Sequence, residues 1–315
     1  MDRREFLFGA SALALAPRIR AARSLRPVAL VTADLESRLV VVDLPDGHVR
    51  RHLATLSYPR SIERVGRAAV VAHPEIGVVT IVETPSLAIR RVLHDFSEPR
   101  YTAAHPDGRH AYVTDARRGE VVALDVHAAR VLGRARVGAR ARHVSIDPAG
   151  RTLWIALGPR ADEIAVVDVS DRGRPRLVRR FRPPFLAHDV GFAPDGRRAW
   201  VSSGDRNQLA VYDARTGRLL SQPYGDAPPQ HITFAGGLVY VTSGWSGTLR
   251  VHRADGRSLG RTVVPVGSYN VQDALGWVVT PALGRGYLTV CDERGRIRRS
   301  ERIARSSHDA CIVAA

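Results

Sequence analysis

A repeat of about forty residues, four short strands in each repeat and complementary partial repeats at the two chain ends predict an all-β protein, a seven-bladed β-propeller with four-stranded blades. The repeat is seen by lining up one short strand from each unit: SIERV from Ser61, YTAAHPDG from Tyr101, HVSIDPAG from His143, HDVGFAPDG from His188, HITFAGG from His231, NVQDALG from Asn270 and HDACIVAA from His308. The first six run into a turn carrying Gly66, Gly108, Gly150, Gly196, Gly236 or Gly276, as a tight hairpin requires. A second strand follows each turn (AAVVA, HAYVTD, TLWIAL, RAWVSS, LVYVTS, WVVTP). A third then ends near an acid at Asp43, Glu83, Asp125, Asp168, Asp213 or Asp292, with His252 taking that place once. A polar, less regular fourth strand closes each unit, and no helical pattern interrupts the series.

The ends predict how the ring closes. Residues 28–56 supply only the outer three strands of a blade, and the last segment, DACIVAA, matches an innermost strand with nothing to follow it. Joined, they form one composite blade and remove two open sheet edges. Neither face of a small sheet can be buried alone, and stacking seven around an axis buries both.

Composition sets the outer bounds. The chain has 315 residues, 44% hydrophobic and 25% charged, which suits a large packed core and excludes a disordered polymer. No apolar run reaches the ~18 residues that span a bilayer. Two cysteines, Cys291 and Cys311, exclude a disulfide scaffold and CxxC-type zinc or redox sites. The net charge is +16, yet all 47 basic residues are arginine and they are scattered along the whole chain. That distribution argues against a nucleic-acid groove.

Residues 1–23, MDRREFLFGASALALAPRIRAAR, carry Arg3-Arg4, then Glu5-Phe6-Leu7, a short apolar stretch and further arginines. They resemble a twin-arginine (Tat) export signal, which implies a chain delivered folded to the periplasm, cell envelope or exterior, with a single propeller domain over 24–315. Export would permit a Cys291–Cys311 disulfide, although nothing in the sequence fixes their separation.

The segment His105-Pro-Asp-Gly-Arg-His-Ala-Tyr-Val-Thr-Asp115 resembles the Tyr-Val-Thr-Asn repeat of YncE-like propellers, with Asp115 in place of Asn. Weaker copies stand at Val239–Ser243, Ala199–Ser203 and Ala29–Ala33. The resemblance implies architecture more than activity, since related propellers include lactonases, haem-binding domains and non-catalytic periplasmic proteins.

Two recurrent sets read as structural. Tyr112, Trp154, Trp200 and Tyr240 share one second-strand position and predict blade-to-blade packing. The repeated acids before the third turn predict carboxylates that accept backbone N–H bonds.

The start of each innermost strand is different. Taken around the ring it holds Arg60, Arg100, His143, His188, His231, Asn270 and His308, a polar collar expected at the channel mouth. Imidazoles bind metals or exchange protons, and guanidiniums clamp carboxylate or phosphate. The collar therefore predicts a site for a small anionic molecule or a protein partner on a monomeric propeller. His143, His188 and His231, from successive blades, are the candidate ligands of a divalent metal, and Asp189 and Asp309, which follow His188 and His308, read as outer supports rather than ligands. No GxSxG, P-loop, HExxH, GxGxxG or CxxCH motif is present. The favoured reading is non-catalytic binding. The alternatives are a lactonase- or lyase-type enzyme using the same collar, and a cofactor-dependent redox protein.

Overall fold

The computed structural model describes residues 25–158 and 160–315. These form seven separate four-stranded antiparallel sheets, with 3-10 turns at Asp34–Glu36 and Pro74–Ile76 as the only helical elements among the described residues. The sheets are the blades of a propeller. The export-signal segment at 1–23 lies outside the described residues.

Closure follows the pattern of the termini. The C-terminal strand Ala310–Ala314 pairs with Pro27–Ala33, in register from Val31↔Ala310 to Pro27↔Ala314, and becomes the inner strand of blade 1. The inner strands of blades 2 to 7 are Ser61–Val65, Pro99–Ala104, Val144–Ile146, Ala187–Phe192, Ile232–Ala235 and Gln272–Ala274. All six hairpin glycines adopt positive φ, and at Gly66 a Cβ would sit 2.2 Å from the carbonyl oxygen of Gly108 in the next blade. A side chain there would both strain the backbone and break the packing.

Buried apolar residues form seven clusters among the described residues, each between two neighbouring blades. Alternation along each strand makes this possible, because most central strands are apolar on both faces; the exception is Thr248–Arg253, which sets Thr248, Arg250 and His252 on one face. Tyr112, Trp154, Trp200 and Tyr240 are all fully buried at these junctions. The Tyr112 hydroxyl donates to the Arg172 carbonyl and that of Tyr240 to the Glu293 carbonyl, each in the following blade. Trp154 packs edge-on against Phe181, Phe192 and Tyr212.

The repeated acids terminate the third strands as expected. Asp125 accepts from the Ala128 N–H, Asp168 from that of Ser170, Asp213 from that of Thr216, and Asp292 from those of Arg294 and Arg296. The Arg109 guanidinium hydrogen-bonded to Asp125 holds that carboxyl down to about 2. Cys291 and Cys311 are free, buried thiols in different inter-blade clusters. Burial pushes the Cys291 thiol up to about 12, so it is inert rather than nucleophilic.

Candidate functional site at the channel mouth

All seven blades line one axial cavity of about 230 Å³, which takes in Glu63, Tyr101, His143, Ser145, Asp189, His231, Thr233, Gln272 and Asp309. The collar expected from the sequence lies at its head, but its members occupy two tiers rather than one. Equivalent backbone bonds fix the register. Arg60, Arg142, Gln230 and His308 each donate an N–H to the same carbonyl position of the second strand, at Ala72, Ala156, Thr242 and Thr32. His143, His231 and Asp309 accept from the N–H groups of Ala156, Thr242 and Thr32. The outer tier therefore reads Arg60, Arg100, Arg142, His188, Gln230, Tyr269 and His308. The inner tier reads Ser61, Tyr101, His143, Asp189, His231, Asn270 and Asp309.

The single collar of the sequence analysis thus mixed two positions, with His143, His231 and Asn270 one step inward of the rest. Imidazole stands at the outer position in blades 1 and 5 (His308, His188) but at the inner one in blades 4 and 6 (His143, His231). Aligning like with like therefore slips by one, although the inner strands of blades 4, 6 and 7 run in unbroken register. That slip hid Arg142 and Tyr101. An interval from Arg100 matching the blade repeat would have found Arg142.

The tiers explain the Thr of the repeat. Thr32 donates to the Arg60 carbonyl, Thr114 to that of Arg142, Ser202 to that of Gln230 and Thr242 to that of Tyr269, always in the next blade. Where blades 2 and 7 carry Ala72 and Pro281 instead, Ser61 and Asn270 on the inner strand reach the carbonyls of Arg100 and His308. Asn270 is thus a clasp between blades through its amide nitrogen. Asp115, next to Thr114, closes the loop of its own blade, accepting from the N–H groups of Ser97, Glu98 and Arg118. Six junctions are clasped in this way. At the seventh, between blades 4 and 5, Ala156 has no hydroxyl, and no side chain reaches the His188 carbonyl among the described residues.

At that junction stand the histidines. The rings of His143 and His188 lie 4.7 Å apart between centroids, those of His143 and His231 4.7 Å, and those of His188 and His231 5.4 Å. One ring nitrogen from each lies within 4.8 Å of the others. Nε2 of buried His143 has no hydrogen-bond partner. Burial, then the neighbouring imidazoles and Arg142, holds the His143 and His188 rings well below the ordinary histidine range, so both are neutral at pH 7. Tyr101 covers His143 at 3.9 Å between ring centroids. Nδ1 of His231 lies 3.4 Å from Asp189, whose carboxylate also accepts the Ile232 N–H. Asp309 makes the same bridge to the Ile62 N–H of blade 2. His308 stands apart from the three, buried, with burial and the positive charge of Arg60 pushing its ring down to about 3.

Arg60, Arg100 and Arg142 occupy three successive outer-tier positions. Glu98 lies 3.5 Å from Arg100, whereas Arg60 and Arg142 have no carboxylate within ion-pair reach among the described residues. Nε of Arg60 is buried without a partner. Beside this arc, Arg117, Arg118, Arg136 and Arg140 line a groove of about 360 Å³. Across the mouth, Trp245 is 67% exposed and packs edge-on against Tyr269. Deeper in the channel, burial and the nearby Asp309 push the Glu63 carboxyl up to about 8.

No family model matches the chain, and no curated protein is similar to it in sequence. Solved structures give its likenesses. A functionally unknown protein from Desulfotomaculum acetoxidans DSM 771 superposes with a TM-score of 0.79 at 14% identity, over 91% of this chain and 99% of that one. Kuenenia stuttgartiensis hydrazine synthase gives 0.66 at 14% identity, over 82% and 95%. Dihydro-heme d1 dehydrogenase NirN, in complex with DHE, gives 0.63 at 16% identity, over 92% and 66%. At such identities the likeness is one of fold. The protein is a seven-bladed β-propeller.

Proposed function

We propose that this chain is an exported propeller of the YncE-like, YVTN-repeat kind that binds a small anion at the channel mouth without transforming it. The observation that carries the reading is the arc of Arg60, Arg100 and Arg142, converging from three blades with two guanidiniums unpaired among the described residues. A guanidinium fork matches a carboxylate or phosphate face, and three in an arc favour a ligand of more than one negative charge. The Thr clasps and the Asp115 loop closure are what a Tyr-Val-Thr-Asn repeat would need structurally, which supports the kinship.

Calorimetric titration of the full chain with succinate, citrate and inorganic phosphate, against succinamide as a neutral control, tests the reading. The anions are expected to bind and succinamide not to. Arg142→Met and Arg60→Met should each weaken binding by roughly 10–100-fold, as loss of a charge-assisted bond does. Equal binding of the neutral control, or anion binding indifferent to both substitutions, would overturn it. The clustered imidazoles favour a second reading, lactonase- or lyase-type chemistry, which predicts product from a lactone panel that His188→Gln abolishes.

A further inference from the structure

The unclasped junction assigns the three histidines a role of their own. We propose that His143, His188 and His231 bind one divalent transition-metal ion, and that this ion ties blade 4 to blades 5 and 6 where the hydroxyl clasp is missing. The inference does not rest on anion binding at the arginines.

Three observations converge on it. The first is the donor set: three imidazoles from successive blades, each with a ring nitrogen within 4.8 Å of the other two. Zinc–nitrogen bonds of about 2.0–2.1 Å hold tetrahedral ligands roughly 3.3 Å apart, so small ring rotations complete the site. Imidazole donors suit zinc, copper, nickel and iron, and exclude a preference for calcium or magnesium. The second is the unpartnered, buried Nε2 of His143. An interior nitrogen without a hydrogen bond costs free energy that coordination would recover. The outer partner is also in place: Asp189, 3.4 Å from Nδ1 of His231, fixes the tautomer that leaves Nε2 as the ligand atom.

The third observation is where the cluster occurs. Every other blade junction is closed by a hydroxyl or amide on an outer-tier carbonyl, through Thr32, Ser61, Thr114, Ser202, Thr242 or Asn270. The inner-tier position that carries Ser61 in blade 2 and Asn270 in blade 7 carries His143 in blade 4. The same position therefore offers a metal ligand in the one place where Ala156 withdraws the clasp. Three protein ligands leave a coordination position open, as in sites that hold water or a ligand atom.

The neighbouring blades supply the test variants. His143→Ser installs the residue that blade 2 carries at this position, and His188→Gln installs that of blade 6, so both substitutions are drawn from this same fold. The probe is zinc alone, added to metal-stripped full-length protein without any anion ligand and followed by chelator competition and elemental analysis. One zinc per chain is expected, with a rise in Tm on binding. Each variant should lose more than the roughly 10–100-fold in affinity that removal of an outer partner costs, and His127→Ala, at an exposed histidine elsewhere, should lose none. His143→Ser should also abolish the zinc-dependent rise in Tm while leaving the metal-stripped protein folded by circular dichroism. Absence of stoichiometric zinc in the wild type, or zinc retained by a folded His143→Ser, His188→Gln double variant, would overturn the proposal. If a variant fails to fold, cobalt titration of the wild type decides. A tetrahedral visible spectrum at one equivalent supports the site, and an octahedral aqua-like spectrum refutes it.

Discussion

The junction between blades 3 and 4 and the junction between blades 4 and 5 are built from the same repeat, yet they close differently. In the first, Thr114 donates across the gap to the Arg142 carbonyl at 2.7 Å, and the Tyr112 hydroxyl adds a second link to Arg172. In the second no such clasp is present among the described residues. Two imidazoles face each other, and beneath them lies the most aromatic of the inter-blade clusters, with Trp154, Phe185, Phe192 and Tyr212 all buried. A repeat fold distributes closure over equivalent positions, so one junction can exchange a hydrogen bond for apolar packing and release its polar position for chemistry. The difference teaches where to look in a propeller: a junction without the repeated clasp leaves an inner-tier polar side chain, here His143, free of a structural bond.

The comparison is broken most directly in the packing. If blades 4 and 5 are held mainly by aromatic burial, Trp154→Ala should cost about 3–5 kcal/mol in denaturant unfolding, because a large cavity opens where no clasp compensates. Tyr112→Phe, at the clasped junction, removes only one hydroxyl bond and should cost about 1 kcal/mol. Similar losses from the two would dissolve the contrast.

A second measurement uses pH. The Glu63 carboxyl, raised to about 8 chiefly by burial and then by Asp309, keeps its proton in the folded channel while the unfolded chain releases it near 4.5. The folded state binds more protons in that window, so stability falls as pH rises through it and levels off above about 8. Glu63→Gln mimics the protonated form and should remove this loss. Its advantage over the wild type should be on the order of 2–4 kcal/mol at pH 8.5 and shrink toward pH 5. A gap independent of pH in chemical denaturation would show that the carboxyl is ionised in the native channel.

The smallest effects sharpen the comparison at the clasp itself. Thr114→Val leaves the Arg142 carbonyl without its partner and should lower stability by about 1–2 kcal/mol. Ala156→Ser should act in the opposite direction in metal-stripped protein, adding up to about 1 kcal/mol by offering the missing hydroxyl to the His188 carbonyl. Thermal melts of the pair read both signs. A stabilising Thr114→Val would mean that these bonds do not hold the ring.

Particular residues show which inferences the chain alone supports. The number of blades, the four strands in each, the composite closure of Ala310–Ala314 on Pro27–Ala33 and the packing roles of Tyr112, Trp154, Trp200 and Tyr240 all follow from spacing and alternation along the chain. Those features are local or repeated, and a repeat averages away the noise of any one unit. The candidacy of His143, His188 and His231 was also legible, because three successive blades placed imidazole near one position. Their division into tiers was not, since imidazole stands at the outer position in blades 1 and 5 and at the inner one in blades 4 and 6, and a shift of one exchanges the residue facing a neighbour. Nor could the chain alone reveal that Asn270 serves as a clasp, or that Ala156 leaves one junction without its hydroxyl. Each of these depends on which carbonyl of the next blade comes within hydrogen-bond reach, and closing the ring is what sets that distance.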